Sequence, residues 1–191
     1  VRATSLGDVV ASLSKALRLL GHKVTVAVPR FPAIEAGGIL VARRLTPLVL
    51  REPDGSKVEV TVFDGRLSSG VELLLLDLPA PSVPAVAGPI VTHPPNAAID
   101  DPRAASLFAR AVVEVIRQRS ETVVPFDLLH VHDWAGGIVP YLLRRCTEPL
   151  LSRMPVVLTI HDLANQRLFP RSVLKLLGLG EEHFRPEAIE F

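Results

Sequence analysis

The sequence is poor in cysteine: Cys146 is its single cysteine in 191 residues. That excludes an intrachain disulfide and a CxxC metal site, and it sets the expectation of a reducing, cytoplasmic setting. It also lacks an excess of charge of either sign, since 21 Lys and Arg stand against 20 Asp and Glu. No overall positive field exists to draw nucleic acid or an anionic membrane, so the partners expected are a small molecule or a neutral polymer. Long apolar runs are missing as well. The most apolar stretch, Val71 to Leu78, is far shorter than the roughly 20 residues that span a bilayer, and the N-terminus carries no signal-peptide pattern, so a soluble protein is expected. No repeat, heptad series or low-complexity tract is present.

What the chain does have is 48% hydrophobic side chains, enough for a sizeable core and more in keeping with one domain than two. Val9, Val10, Leu13, Ala16, Leu17 and Leu20 recur at spacings of three and four between Asp8 and Leu20, which predicts an amphipathic helix ended by Gly21. Lys23 to Val28 follows as a buried strand closed by Pro29. Shorter strands are predicted at Leu45 to Arg51, Val58 to Phe63 and Glu72 to Leu76, with Pro53, Asp54 and Gly55 turning between the first two. These make a β-rich insertion or hairpin. Pro79, Pro81, Pro84, Pro89, Pro94 and Pro95 then exclude regular helix or central strand, so a long surface loop is expected there. A second amphipathic helix is read over Arg103 to Arg117. Two short strands, Leu128 to Val131 and Val156 to Ile160, flank a helical stretch from about Gly136 to Arg145.

Such alternation predicts an α/β fold with a doubly wound, Rossmann-like parallel sheet, in which ligands bind beyond the carboxyl ends of the strands. The chain enters its first helix through Ser5, Leu6 and Gly7 with no strand ahead of them, and it begins at Val1 rather than Met. An N-terminal strand is therefore expected to be missing.

The chemistry-bearing residues fall at the predicted strand ends. In His130-Val131-His132-Asp133-Trp134, a two-residue period puts both histidines on one side of the strand and delivers His132 and Asp133 to the ligand-binding end. Imidazole and carboxylate suit sugar hydroxyls or developing positive charge. The simpler reading makes Asp133 a helix cap, Trp134 a packing residue and the histidines part of the core. Thr159-Ile160-His161-Asp162 ends the next strand, so two His-Asp pairs face the same crevice. Ser5-Leu6-Gly7-Asp8 opens a helix, where free N–H groups and the helix dipole suit a phosphate; taken alone, the segment is better explained as an ordinary helix start, since one Gly and an Asp cap precede many helices.

Taken in order, these segments resemble the bacterial glycogen synthase and plant starch synthase family. Leu6-Gly7-Asp8-Val9-Val10, Gly21-His22-Lys23-Val24 and Pro29-Arg30-Phe31 are similar to its opening. His130 to Trp134 is similar to its His-x-His-Asp-Trp strand end, and Thr159 to Pro170 to its Thr-x-His-Asn-Leu-Ala-Tyr-Gln-Gly-x-Phe segment. The resemblance implies the N-terminal half of a GT-B glycosyltransferase, with a second nucleotide-binding domain expected beyond Phe191. It implies retaining transfer of glucose from ADP-glucose to the non-reducing end of an α-1,4-glucan, with no metal or other cofactor. His132 would contact the transferred glucose and Asp133 support the same site, making them the candidate catalytic residues. Arg2, Gly7 and Asp8 would belong to the donor-phosphate turn, and His161 would line the cleft.

The match has departures. Arg2, Thr4, Ser5 and Leu6 stand at positions of the family's Lys-x-Gly-Gly-Leu turn, and side chains in place of glycine hinder close backbone approach to a diphosphate. Asp162, Asn165 and Arg167 replace Asn, Tyr and Gly. The alternative reading is therefore a glucan-binding or regulatory paralogue with impaired catalysis. A metal-dependent hydrolase with His130, His132, Asp133 and His161 as ligands is a third possibility of a different class.

Overall fold

A computed structural model describes residues 5–31, 34, 38–52, 54–79, 102–122, 124–163 and 169–185. In chain order the elements are α1 (Ser5–Leu19), β1 (Thr25–Pro29), β2 (Val41–Arg43), β3 (Leu48–Arg51), β4 (Lys57–Arg66), β5 (Glu72–Asp77), α2 (Pro102–Thr122), β6 (Leu129–His132), α3 (Asp133–Arg144), α4 (Pro149–Ser152) and β7 (Val156–Thr159). Two 3-10 turns, Arg171–Leu177 and Glu181–His183, follow. The chain divides into two compact units, one of residues 1–48 and 59–78 and the other of 49–58 and 79–191. The proline-rich segment lies almost wholly outside the described residues.

In the first unit, α1 ends as Gly21 predicts. Gly21 adopts φ 93, its N–H bonds the Arg18 carbonyl, and the His22 N–H reaches back to Leu17. That pair of bonds satisfies two carbonyls left over by the last helical turn and requires the left-handed conformation that glycine adopts without penalty. β1 pairs in parallel with β5, which pairs antiparallel with β4, and β4 pairs antiparallel with β2. Leu73 to Leu76 are all buried, as expected of a strand covered on both faces. The β-rich middle of the sequence is thus an antiparallel addition to a parallel pair. Strand β2 escapes sequence reading because three residues, Val-Ala-Arg, carry no alternation long enough to register. Arg30, from the Pro-Arg-aromatic stretch, fastens this sheet through its side chain, pairing with Asp77 at 2.9 Å and lying over the Phe63 ring at 4.3 Å.

The second unit is organised around α2. Ala105, Leu107, Ala109, Ala111, Val112, Val113, Val115 and Ile116 are buried along it, and the helix continues beyond Arg117 to Thr122 because the polar residues there are compatible with helix after the apolar stripe ends. Ser106 is buried and donates to the Leu176 carbonyl at 2.5 Å. Glu52, beside the turn between β3 and β4, receives Arg110 at 3.1 Å; in that turn Gly55 takes φ 84 and the Glu52 N–H bonds the Ser56 carbonyl. Leu174, Leu177 and Leu179 form a further buried cluster against Ile138, Tyr141 and Phe184. Cys146 is half-buried, and burial pushes its thiol pKa up against the opposing influence of Arg117.

The strand-helix-strand unit forms as expected, with β6 and β7 paired in parallel from Leu129 with Val156 to His132 with Thr159. Helix α3 begins at Asp133, ahead of the predicted Gly136. Gly136 and Gly137 lower the helical propensity of its first turn and so mask the true start. Among the described residues, no helix is long and apolar enough to cross a membrane.

Candidate active site

Strand β6 runs directly into α3 without a connecting residue, and the reversal is made at Asp133, which has φ 53. The left-handed region is costly for residues with a side chain, least so for Asp and Asn, and such outliers gather where a site demands a particular geometry. Gly136 makes this junction feasible. A Cβ there would sit 3.0 Å from the Val131 Cβ, so a side chain at this position would have to press helix and strand apart, and glycine lets them approach without that.

Asp133 does not cap the helix. The N-cap is His132, and no side chain caps that end. The Asp133 carboxylate instead accepts the backbone N–H of His161 at 2.7 Å, tying the end of β6 to the end of β7. This corrects the simpler reading of Asp133 drawn from the sequence, because its left-handed backbone aims the carboxylate sideways to the neighbouring strand.

The histidines are equally far from ordinary core residues. The rings of His130 and His132 stack with centroids 4.3 Å apart, and His132 stacks with His161 at 5.2 Å. His132 Nδ1 lies 3.0 Å from His161 Nε2, and His130 Nε2 lies 2.7 Å from the Thr159 hydroxyl. Burial lowers the His132 pKa below 6.5, repulsion from His130 and His161 adds to the effect, and Asp133 opposes it. His132 is therefore a neutral hydrogen-bonding group at neutral pH.

His132, Asp133 and His161 are thus brought together at adjacent carboxyl ends of parallel strands, where ligands bind in open α/β sheets. Gly7 and Asp8 belong to the other unit. They lie in the first turn of α1 rather than in a turn before it, and Asp8 places a negative charge near the positive end of the helix dipole. Arg2, Thr4, Asn165 and Arg167 fall outside the described residues. Thr159 is the participant that sequence reasoning left without a role. The signal was present: Thr159 is the last residue of β7 and opens the Thr-Ile-His-Asp motif, and the parallel register sets it opposite His132 on β6.

Among the described residues, no group of His, Cys, Asp or Glu is arranged to hold a metal ion.

Comparison with known proteins bears on the whole chain. The family model described as starch synthase catalytic domain matches residues 1–191. The chain belongs to the starch synthase catalytic domain family. Glycogen synthase 1 of Methylococcus capsulatus is 35% identical over 194 residues, covering 100% of this chain and 36% of the relative. Glycogen synthase of Koribacter versatilis is 32% identical over 190 residues, covering 97% of this chain and 37% of the relative. The catalytic domain of starch synthase IV from Arabidopsis thaliana, solved with ADP and acarbose, superposes with a TM-score of 0.78 at 25% identity, covering 97% of this chain and 36% of that one. The chain therefore spans little more than a third of the length of these relatives. The GT-B relationship agrees with the α/β elements and parallel strand pairs described above.

Proposed function

We propose that this chain forms the acceptor-side domain of an ADP-glucose-dependent α-1,4-glucan glucosyltransferase that retains anomeric configuration. The observation that carries the reading is the convergence of His132, Asp133 and His161 at the ends of β6 and β7, within a chain that matches the family model along its whole length. A neutral imidazole beside a strand end suits a sugar hydroxyl, because it offers directional hydrogen bonding without the charge that would favour an anion over a neutral sugar. The Arabidopsis relative was solved with ADP and acarbose bound to its catalytic domain, which supports a nucleotide sugar and a glucan as the ligands here. Arg2, Gly7 and Asp8 are assigned to the donor-phosphate side, and the residues that hold the nucleotide base to a second, C-terminal domain.

The test is incorporation of labelled glucose from ADP-glucose into glycogen by the full-length protein, with UDP-glucose as the competing donor. Transfer from ADP-glucose that is lost in His132→Ala supports the reading. Absence of transfer from either donor overturns it.

One feature of the sequence favours a second reading. Thr4 and Ser5 stand where the family has two glycines, and a β-carbon at each position obstructs close approach of a diphosphate to the backbone. A glucan-binding paralogue would retain glycogen in affinity electrophoresis without turning over either donor, and Thr4→Gly with Ser5→Gly would then raise turnover.

A further inference from the structure

The contact between His132 and His161 defines more than proximity. Nδ1 of one ring faces Nε2 of the other at 3.0 Å, so a neutral pair holds one proton between them, and two arrangements are available. If His161 donates through Nε2–H, then His132 accepts at Nδ1 and carries its own proton on Nε2. If His132 donates through Nδ1–H, then His161 accepts at Nε2 and must carry its proton on Nδ1. The first arrangement leaves both rings in the Nε2–H tautomer that neutral histidine prefers in water. The second forces both into the disfavoured form.

The neighbouring contact, His130 Nε2 to the Thr159 hydroxyl at 2.7 Å, is open to either direction, because a hydroxyl both donates and accepts. The backbone of His161 is fixed, since its N–H is held by the Asp133 carboxylate at 2.7 Å. Asp133 can reach it because of its own φ of 53.

We infer that His161 is a positioning residue that donates Nε2–H to His132 Nδ1 and thereby presents His132 to the ligand as an Nε2–H donor, with Asp133 holding His161 in place. His132 is then matched to an oxygen lone pair of a sugar hydroxyl and cannot accept a hydroxyl proton through Nε2. Asp133 acts through the His161 backbone and not on the reacting atoms. The role given to His132 rests on the glucosyltransferase reading above; the tautomer itself does not.

The ring nitrogens report the assignment directly. In the full-length protein with histidine labelled by nitrogen-15, a long-range proton–nitrogen correlation spectrum near pH 7.5 distinguishes a bare, pyridine-type nitrogen from a protonated, pyrrole-type one, with signals assigned through His130→Gln, His132→Gln and His161→Gln. The expected pattern for His132 is pyridine-type Nδ1 and pyrrole-type Nε2. His161→Phe keeps a ring of similar size but removes the donor, so the His132 Nδ1 signal should shift toward that of an unbonded nitrogen. Glucose transfer should fall on the order of tenfold in kcat, the scale of one lost hydrogen bond to a working group. His161→Gln, which returns an N–H donor, should restore part of both signals.

A pyrrole-type Nδ1 at His132 in the unmodified protein overturns the proposal, as do His132 signals unchanged in His161→Phe. The spectrum of the unmodified protein decides the tautomer even where a variant does not fold. The expected tautomer in a protein that transfers no glucose would refute the functional reading and leave the tautomer assignment standing.

Discussion

The Tyr141 hydroxyl is hydrogen-bonded to His183 Nδ1 at 2.6 Å, joining α3 to the 3-10 turn that follows the Leu174, Leu177 and Leu179 cluster. His183 Nε2 lies 3.2 Å from Glu182, and the His183 side chain is only 12% exposed. The helix that begins at the candidate site is therefore anchored two turns later by a polar contact with little access to water. Tyr141→Phe preserves the ring and its edge-on packing against His183 but leaves Nδ1 without its partner. A buried polar atom stranded in this way costs about 1–3 kcal/mol, so the urea unfolding midpoint should fall with an unchanged slope.

The close junction of strand and helix separates two adjacent glycines. A methyl on Gly136 would meet Val131 at 3.0 Å, whereas nothing lies within 4 Å of one on Gly137. Gly136→Ala should push α3 away from β6 and destabilise the fold by about 1–3 kcal/mol, as overpacking does. Gly137→Ala should stabilise it by about 0.4–1 kcal/mol, because alanine reduces the freedom of the unfolded chain at a position that is already helical. Thermal unfolding of the two variants side by side checks the opposite signs.

The pKa of His132 gives stability a defined pH dependence. Its folded value lies below the ordinary 6.5, chiefly through burial. As pH falls through about 6.5 the unfolded chain takes up a proton that the folded chain still refuses, so the unfolded state gains relative stability. The contribution from neutral His132 is fully present above about pH 6.5 and is lost as pH falls toward the folded pKa. His132→Gln should flatten the decline in unfolding free energy between pH 7 and pH 5. An unchanged pH profile would show that this imidazole is not held neutral.

Much of this was legible in the sequence because it depends on local periodicity. The apolar spacing of α1 and α2, the Val-rich β1 and the strand-helix-strand unit from β6 to β7 are each set by patterns within about ten residues, and Gly21 marks a helix end by its backbone freedom alone. The start of α3 was obscured because Gly136 and Gly137 argue against helix locally, whereas the close packing of Gly136 on Val131 favours a glycine there. Strand β2 was hidden because it is too short to show a pattern, and its place is set by pairing with Phe63 to Gly65 on β4.

The sequence by itself determined the element types, the family resemblance and the arrival of His132 and Asp133 at the end of β6, because side-chain alternation and motif order are properties of the chain read in one dimension. Only the tertiary structure decided what these residues and His161 contact. Residues 130 to 133 and 159 to 161 are separated by some 28 positions, and parallel pairing of β6 with β7 is needed before one ring nitrogen can meet another at 3.0 Å or the Asp133 carboxylate can turn from its own helix to the His161 N–H. Hydrogen bonds depend on distances of a few tenths of an ångström, and those distances are fixed by packing between strands.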